Sequence, residues 1–199
     1  MSSALIVISP LLLLNTVFAA PISNNLHTRQ AAPACNNGKA HLYQPELHNI
    51  YIYSGVPSFP SISNTFNVMN GSSSRSEQQQ VAVWRNVPAS TTCTIRWSVA
   101  ADRSFSVYNN GLVASQQLVG LPPGAITADT IKGLESSKPP TSALDFTFWP
   151  EIAGPHDHVG PAMQCGSEVV VKLFKDPSAP GSITLEQSQQ SGLYLEVDC

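Results

Sequence analysis

Charge is scarce in this chain. Lys and Arg number 10 and Asp and Glu 13 in 199 residues, a net charge of −3. There is no basic block, so nucleic acid and anionic membrane surfaces lack the cluster of cations that would draw them in. After the first twenty residues no apolar run reaches the ~20 residues that a membrane-spanning helix requires. No hydrophobic C-terminal tail marks a lipid anchor. No cysteine pair has the C-x-x-C spacing of a zinc ribbon or a thioredoxin-type redox site. G-x-S-x-G does not occur, which removes the nucleophile elbow of a serine hydrolase. A convincing amphipathic helix of ten residues is also missing, as is any internal repeat.

What is present points first to a compartment. Leu5 to Phe18 is nearly all apolar and leads into the small-residue exit Val17-Phe18-Ala19-Ala20. This pattern is expected of a secretory signal peptide over residues 1–19, cut between Ala19 and Ala20, although no Lys or Arg supplies a basic start. Residues 20–34 read as a flexible lead-in or a propeptide, with Arg29 as a second processing position that would expose Gln30. Residues 35–199 are expected to form a single domain. All four cysteines, Cys35, Cys93, Cys165 and Cys199, lie in that span. An even count in a secreted chain implies two disulfides, with three connectivities open. The lone glycosylation sequon is Asn70-Gly71-Ser72, inside a polar run from Asn70 to Gln80 read as an exposed loop, so Asn70 is the expected glycan acceptor.

The rest alternates with a period of two. Val81–Val99 reads as two β-strands joined by a turn, the core hairpin of the fold. Cys93, Ile95, Trp97 and Val99 share the buried face, which suggests a disulfide packed against the indole. Further strands are expected at Asn49–Tyr53, Thr65–Met69, Ala143–Phe148 (with Leu144, Phe146 and Phe148 inward), Glu168–Phe174, Ser182–Glu186 and Gly192–Val197. Ser104–Tyr108 and Leu112–Val119 flank Asn109-Asn110-Gly111 as a second hairpin. Gly120–Thr141 reads as a long connection crossing between sheets, with weak helical character around Ala128–Leu134. Glu151–Pro161 reads as a loop. Short strands with turn signals between them predict an all-β fold, an antiparallel β-sandwich with two disulfides.

Four segments also carry a family likeness. Trp84-Arg85-Asn86-Val87-Pro88 leads into Cys93-Thr94-Ile95-Arg96-Trp97. Cys165-Gly166-Ser167-Glu168-Val169 places a second cysteine before an alternating strand. Gly192-Leu193-Tyr194-Leu195 closes the chain near its end. This order resembles the fungal secreted proteins with the ubiquitin 3 binding protein But-two C-terminal-like domain, over about Ile50 to Cys199. The resemblance implies a secreted or cell-wall-associated β-domain of fungal type and brings no catalytic residues with it. The disulfides are expected as Cys93–Cys165 within the domain and Cys35–Cys199 tying the termini.

Candidate chemistry is sparse. His156-Asp157-His158, with Glu151 nearby, is the one constellation able to ligate a metal, and its plainer reading is a solvated polar loop. The acids Asp145 and Glu151 are weighed as a glycosidase pair against solvated surface carboxylates. Exposed aromatics stack on sugar rings in carbohydrate-binding sandwiches, which makes Trp84, Tyr51, Tyr53, Tyr108 and Trp149 candidates. Trp84, Arg85 and Trp149 form the expected ligand face. The expectation is therefore a non-enzymatic, secreted binding or cell-surface structural component with no cofactor and no metal. Its expected partner is a cell-wall glycan or a surface protein. The alternative is a carbohydrate-binding module or small carbohydrate-active enzyme.

Overall fold

The computed structural model describes residues 33–52, 61–71, 77–90, 92–102, 104–122, 124–135, 142–176 and 180–199. The expected signal peptide, the Arg29 processing position and Tyr53 lie outside them.

Two antiparallel sheets make a β-sandwich. The smaller sheet joins β1 (Lys39–Tyr43), β13 (Gly192–Asp198), β6 (Thr92–Val99) and β10 (His156–Gln164), in that order. The larger runs β7 (Phe105–Asn109), β12 (Gly181–Glu186), β4 (Thr65–Asn70), β5 (Glu77–Arg85), β11 (Glu168–Lys175), β8 (Leu112–Gln117) and β9 (Ser142–Asp145). Its remaining strands are β2 (Glu46–Ile52), paired with β5, and β3 (Ser61–Ser63), paired with β2. Between the sheets lie Ala40 and Leu42, Cys93, Ile95 and Trp97, and Leu193, Leu195 and Val197 from one side. Phe66, Val68, Ala82, Trp84, Val169, Val171 and Leu173 fill it from the other. In β1, β6 and β13 every second residue enters this core, as the period of two requires.

The larger sheet is buried on its other face too. Ile50, Val81, Val83 and Val170 pack there under Leu118, Ile126 and Ile131. That cover is the segment read from sequence as a crossing between sheets. It does not cross: β8 and β9, which it links, pair with each other in the same sheet. Its described residues fold over the outer face and are pinned by α1 (Ala128–Lys132), whose entry is capped reciprocally by Thr127 and Thr130. The two-sided burial explains why β5 and β11 carry the unbroken apolar runs Val81-Ala82-Val83-Trp84 and Val169-Val170-Val171 rather than a polar alternate face.

Several other expectations are corrected by the topology. β5 and β6 are both strands, but they lie in opposite sheets, so Val81–Val99 is a sheet-to-sheet crossing and not a hairpin. β7 and β8 are not paired either: β7 lies against β12, and β8 between β11 and β9. Lys39–Tyr43, where no strand is expected from the sequence, is the edge strand β1. Glu77–Gln80, read as loop, belongs to β5, with Gln78 and Gln80 buried. Their amides substitute for strand pairing where β4 peels away from β5. Gln80 accepts from Asn67 N at 2.8 Å and donates to Thr65 O at 3.0 Å, while Gln78 donates to Asn67 O at 3.2 Å. Buried amides are stable there because each finds its partners. Asn70 closes β4, half-buried rather than in an exposed loop, and donates to Asp176 O at 3.3 Å. Phe148 is 76% exposed, not inward, because β9 ends at Asp145 and the chain turns through a 3-10 turn at Trp149–Glu151.

Both disulfides form as expected. Cys35–Cys199 ties the start of the domain to its last residue, and Cys93–Cys165 links β6 to the end of β10. Trp97 does not pack on the latter. Four residues of strand separate it from Cys93 by about 13 Å, and its ring neighbours are Phe105, Phe146, Trp149, His156 and His158.

Candidate functional site

The sequence-predicted ligand face does not assemble. Trp84 is 2% exposed, and its indole N–H donates to Leu42 O at 3.0 Å inside the sandwich. It faces the core between the two sheets and has no route to solvent. Trp149 is half-buried against Trp97 and His158. Arg85 is exposed, yet it sits at the far side of the larger sheet, ion-paired with Glu46 and Glu168. The three residues therefore share no surface. Of the other aromatic candidates, Tyr108 is exposed on the edge strand β7 and Tyr51 is half-buried on β2.

The His156-Asp157-His158 segment is a strand, not a loop, and the strand separates its members. Trp97 stacks on His158 with ring centroids 4.0 Å apart, and His156 Nδ1 and His158 Nε2 are 2.9 Å apart. Asp157 points to the opposite face. Burial holds both imidazoles below their ordinary pKa, and for His158 the neighbouring His156 adds to the effect. Among the described residues no group of three His, Cys, Asp or Glu side chains converges on one point. Asp145 accepts from Thr147 N at 2.9 Å, closing the turn after β9, and Glu151 is exposed.

A site that sequence reading missed lies on the outer face of the smaller sheet. Here the alternate residues of four strands meet: Lys39, His41 and Tyr43 from β1, Tyr194 and Glu196 from β13, Arg96 and Ser98 from β6, and Asp157 from β10. They form one connected network. Lys39 Nζ bonds Glu196 Oε1 at 2.6 Å, and His41 Nε2 lies 3.2 Å from Glu196 Oε2. Arg96 reaches Glu196 at 3.4 Å and Asp157 Oδ1 at 3.0 and 2.5 Å. The Tyr194 hydroxyl donates to the other oxygen of Asp157. Tyr43 stacks on Tyr194 with centroids 4.6 Å apart and planes 25° apart. That lid, together with His41 at 5.2 Å, leaves Tyr194 only 2% exposed although it faces outward.

The charges on this face are spent internally. Burial works against the Arg96 guanidinium, but its bond to Asp157 and the surrounding carboxylates hold it more strongly protonated than usual. Burial likewise opposes the Glu196 carboxylate, and Lys39, Arg96 and His41 outweigh it, so its pKa is lowered. Burial and the Asp157 bond both raise the Tyr194 phenol. None of these groups is poised for proton transfer near neutrality.

At one end of the face the network borders a cleft of about 440 Å³. Tyr43 ends β1 there, Ser98 and Val99 end β6 with Ala100 just beyond, His156 and Asp157 begin β10 just after Pro155, and Gln189 and Gln190 come from the link between β12 and β13. A second cleft of about 560 Å³ lies across the molecule beside Glu46, His48 and Arg85, under Leu121 and Ile126.

Fold and face together define a disulfide-tied two-sheet β-sandwich with one polar–aromatic sheet surface. No family model, curated protein or solved structure matches this chain.

Proposed function

We propose that the chain is an extracellular, non-enzymatic binding domain that engages its ligand through the outer face of the smaller sheet. The observation that carries this is the Tyr43–Tyr194 stack, an aromatic platform held rigid by ion pairs from all four strands and opening onto the Tyr43–Gln190 cleft. A preorganised face loses little freedom on binding, which is what a recognition surface requires. A glycosidase would need one carboxyl held protonated beside a second ionised one. Here Asp157 and Glu196 are both committed to cations, and Glu196 is shifted the wrong way. Two disulfides suit an oxidising compartment, and among the described residues no helix is long and apolar enough to cross a membrane. The likeness of the Trp84–Pro88, Cys93–Trp97, Cys165–Val169 and Gly192–Leu195 segments to the secreted But-two C-terminal-like domains supports the same reading, with the cell wall as its setting.

The test is adsorption of the secreted protein to isolated fungal cell wall. Wild type should partition to the wall and Tyr43→Ala should stay in solution with its disulfides intact. Equal partitioning of the two proteins would refute this face as the binding surface.

A further inference from the structure

We infer that the Tyr43 cleft takes a neutral oligosaccharide. The inference rests on the reading of that face as a binding surface and adds the ligand class. Its argument is one of elimination among the groups that line the cleft. Asp157 is its one charged side chain of fixed sign, and that carboxylate is neutralised by Arg96 and capped by the Tyr194 hydroxyl. Among the described residues an anionic ligand meets no free cation there, because Arg96 faces Asp157 and Glu196, and Lys39 faces Glu196 and Asp198. Among them a cationic ligand likewise meets no free carboxylate in the cleft.

What remains for recognition is uncharged. The Gln189 and Gln190 side chains are exposed and bond no other described residue, so each amide offers both donors and an acceptor. Tyr43 supplies a ring whose inner face is taken by Tyr194 and whose body lines the cleft. Amides beside an aromatic plane match a sugar, which presents hydroxyls at its rim and C–H groups on its faces. The volume falls within the ~300–1,000 Å³ of small-molecule sites, and the cleft is open at the edge of the sheet, so a chain can enter and leave. A protein partner would call for a broader apolar surface: of the large apolar side chains exposed among the described residues, Val159 alone lies on this face.

The experiment is titration calorimetry of the full secreted protein with six probes: laminarihexaose, cellohexaose, chitohexaose and mannohexaose as neutral ligands, hexagalacturonate as an anion and chitosan hexamer as a cation. At least one neutral hexamer should bind. Tyr43→Ala should weaken that binding by tenfold or more, and Gln190→Ala, an exposed change that leaves the Ser98 bond to the Gln190 carbonyl in place, by several-fold. Tighter binding of either charged oligomer, or undiminished affinity in Gln190→Ala and Tyr43→Ala, overturns the assignment. If no neutral hexamer binds while wall adsorption still falls in Tyr43→Ala, the face stands and the ligand class is wrong. If adsorption does not depend on Tyr43, the face itself is wrong.

Discussion

Removing the Cys35–Cys199 disulfide tests how the binding face is held. β1 is an edge strand, bonded only to β13 through the register Lys39↔Asp198 to Tyr43↔Tyr194. It carries Ala40 and Leu42 into the core and His41 and Tyr43 onto the face. The disulfide closes a chain of sequence separation 164, but Cys93–Cys165 already shortens that path. With 58 residues from Cys35 to Cys93 and 34 from Cys165 to Cys199, the loop closed is about 90 residues. The chain-entropy relation gives roughly 4.5 kcal/mol for a loop of that length. At ~2–4 °C per kcal/mol for a domain of this size, the double substitution Cys35→Ser/Cys199→Ser should lower Tm by about 10–18 °C. Thermal melting followed by near-UV circular dichroism measures it, and the urea midpoint checks it without extrapolation in temperature. Trp84 provides a local readout, because its N–H bonds the Leu42 carbonyl of β1, so fraying of β1 should expose the indole before global unfolding. A loss below ~1 kcal/mol with no early Trp84 signal would refute the reasoning: the strand pairing alone would then hold β1.

Trp97→Ala should cost about 3–5 kcal/mol, since Trp97 is 1% exposed among Phe105, Phe146, Trp149 and His158; a urea-unfolding loss under 1.5 would contradict that packing. His48, His156 and His158 all have pKa values lowered chiefly by burial. They stay neutral when folded and protonate when unfolded, so their stability contribution is complete above about pH 6.5 and is lost as pH falls from there through the folded values. Urea midpoints at pH 7.5, 6.0 and 5.0 should fall in that order, and His156→Gln/His158→Gln should flatten the slope; a rising midpoint would reverse the sign. Lys175 is fully buried, its ammonium bonded to Asn110 O and Leu112 O at 2.6 Å each, and burial lowers its pKa to about 8. Lys175→Met should cost about 2 kcal/mol through the carbonyls left without a donor, measurable at pH 7; an unchanged urea midpoint would show that those carbonyls find other partners.

The sandwich was legible because its core strands alternate. Ile95, Trp97, Leu193 and Leu195 fall inward where a period of two puts them. The misreadings each have a local cause. β10 hid behind a bulge between Val159 and Ala162 that inverts the inward parity, from His156 and His158 before it to Pro161 and Met163 after it. Gly160 makes the bulge possible: a methyl there would lie 2.3 Å from Leu144 Cδ2 and 2.8 Å from Ile95 O. The Gln78–Gln80 stretch carries no hydrophobic signal, because its burial is satisfied by amide bonds that only the tertiary structure supplies. Trp84 is offered by its sequence as a surface aromatic, but it lies on the face of β5 that the smaller sheet covers, with its N–H on Leu42 O. The binding face could not be read at all, for its members come from four strands as far apart as Lys39 and Asp198. Only the alternation of Thr94, Arg96 and Ser98 against the core residues of β6 marked that an outward polar surface existed.

The most direct measurement is backbone-amide chemical-shift mapping of the labelled, disulfide-intact protein titrated with the tightest neutral hexasaccharide. Shifts should cluster at Tyr43, Ser98, His156, Asp157, Gln189 and Gln190 and be silent around Glu46, His48 and Arg85. A cluster at the second cleft, or no cluster at saturating ligand, would contradict the assignment of the smaller sheet's outer face as the place where this protein binds.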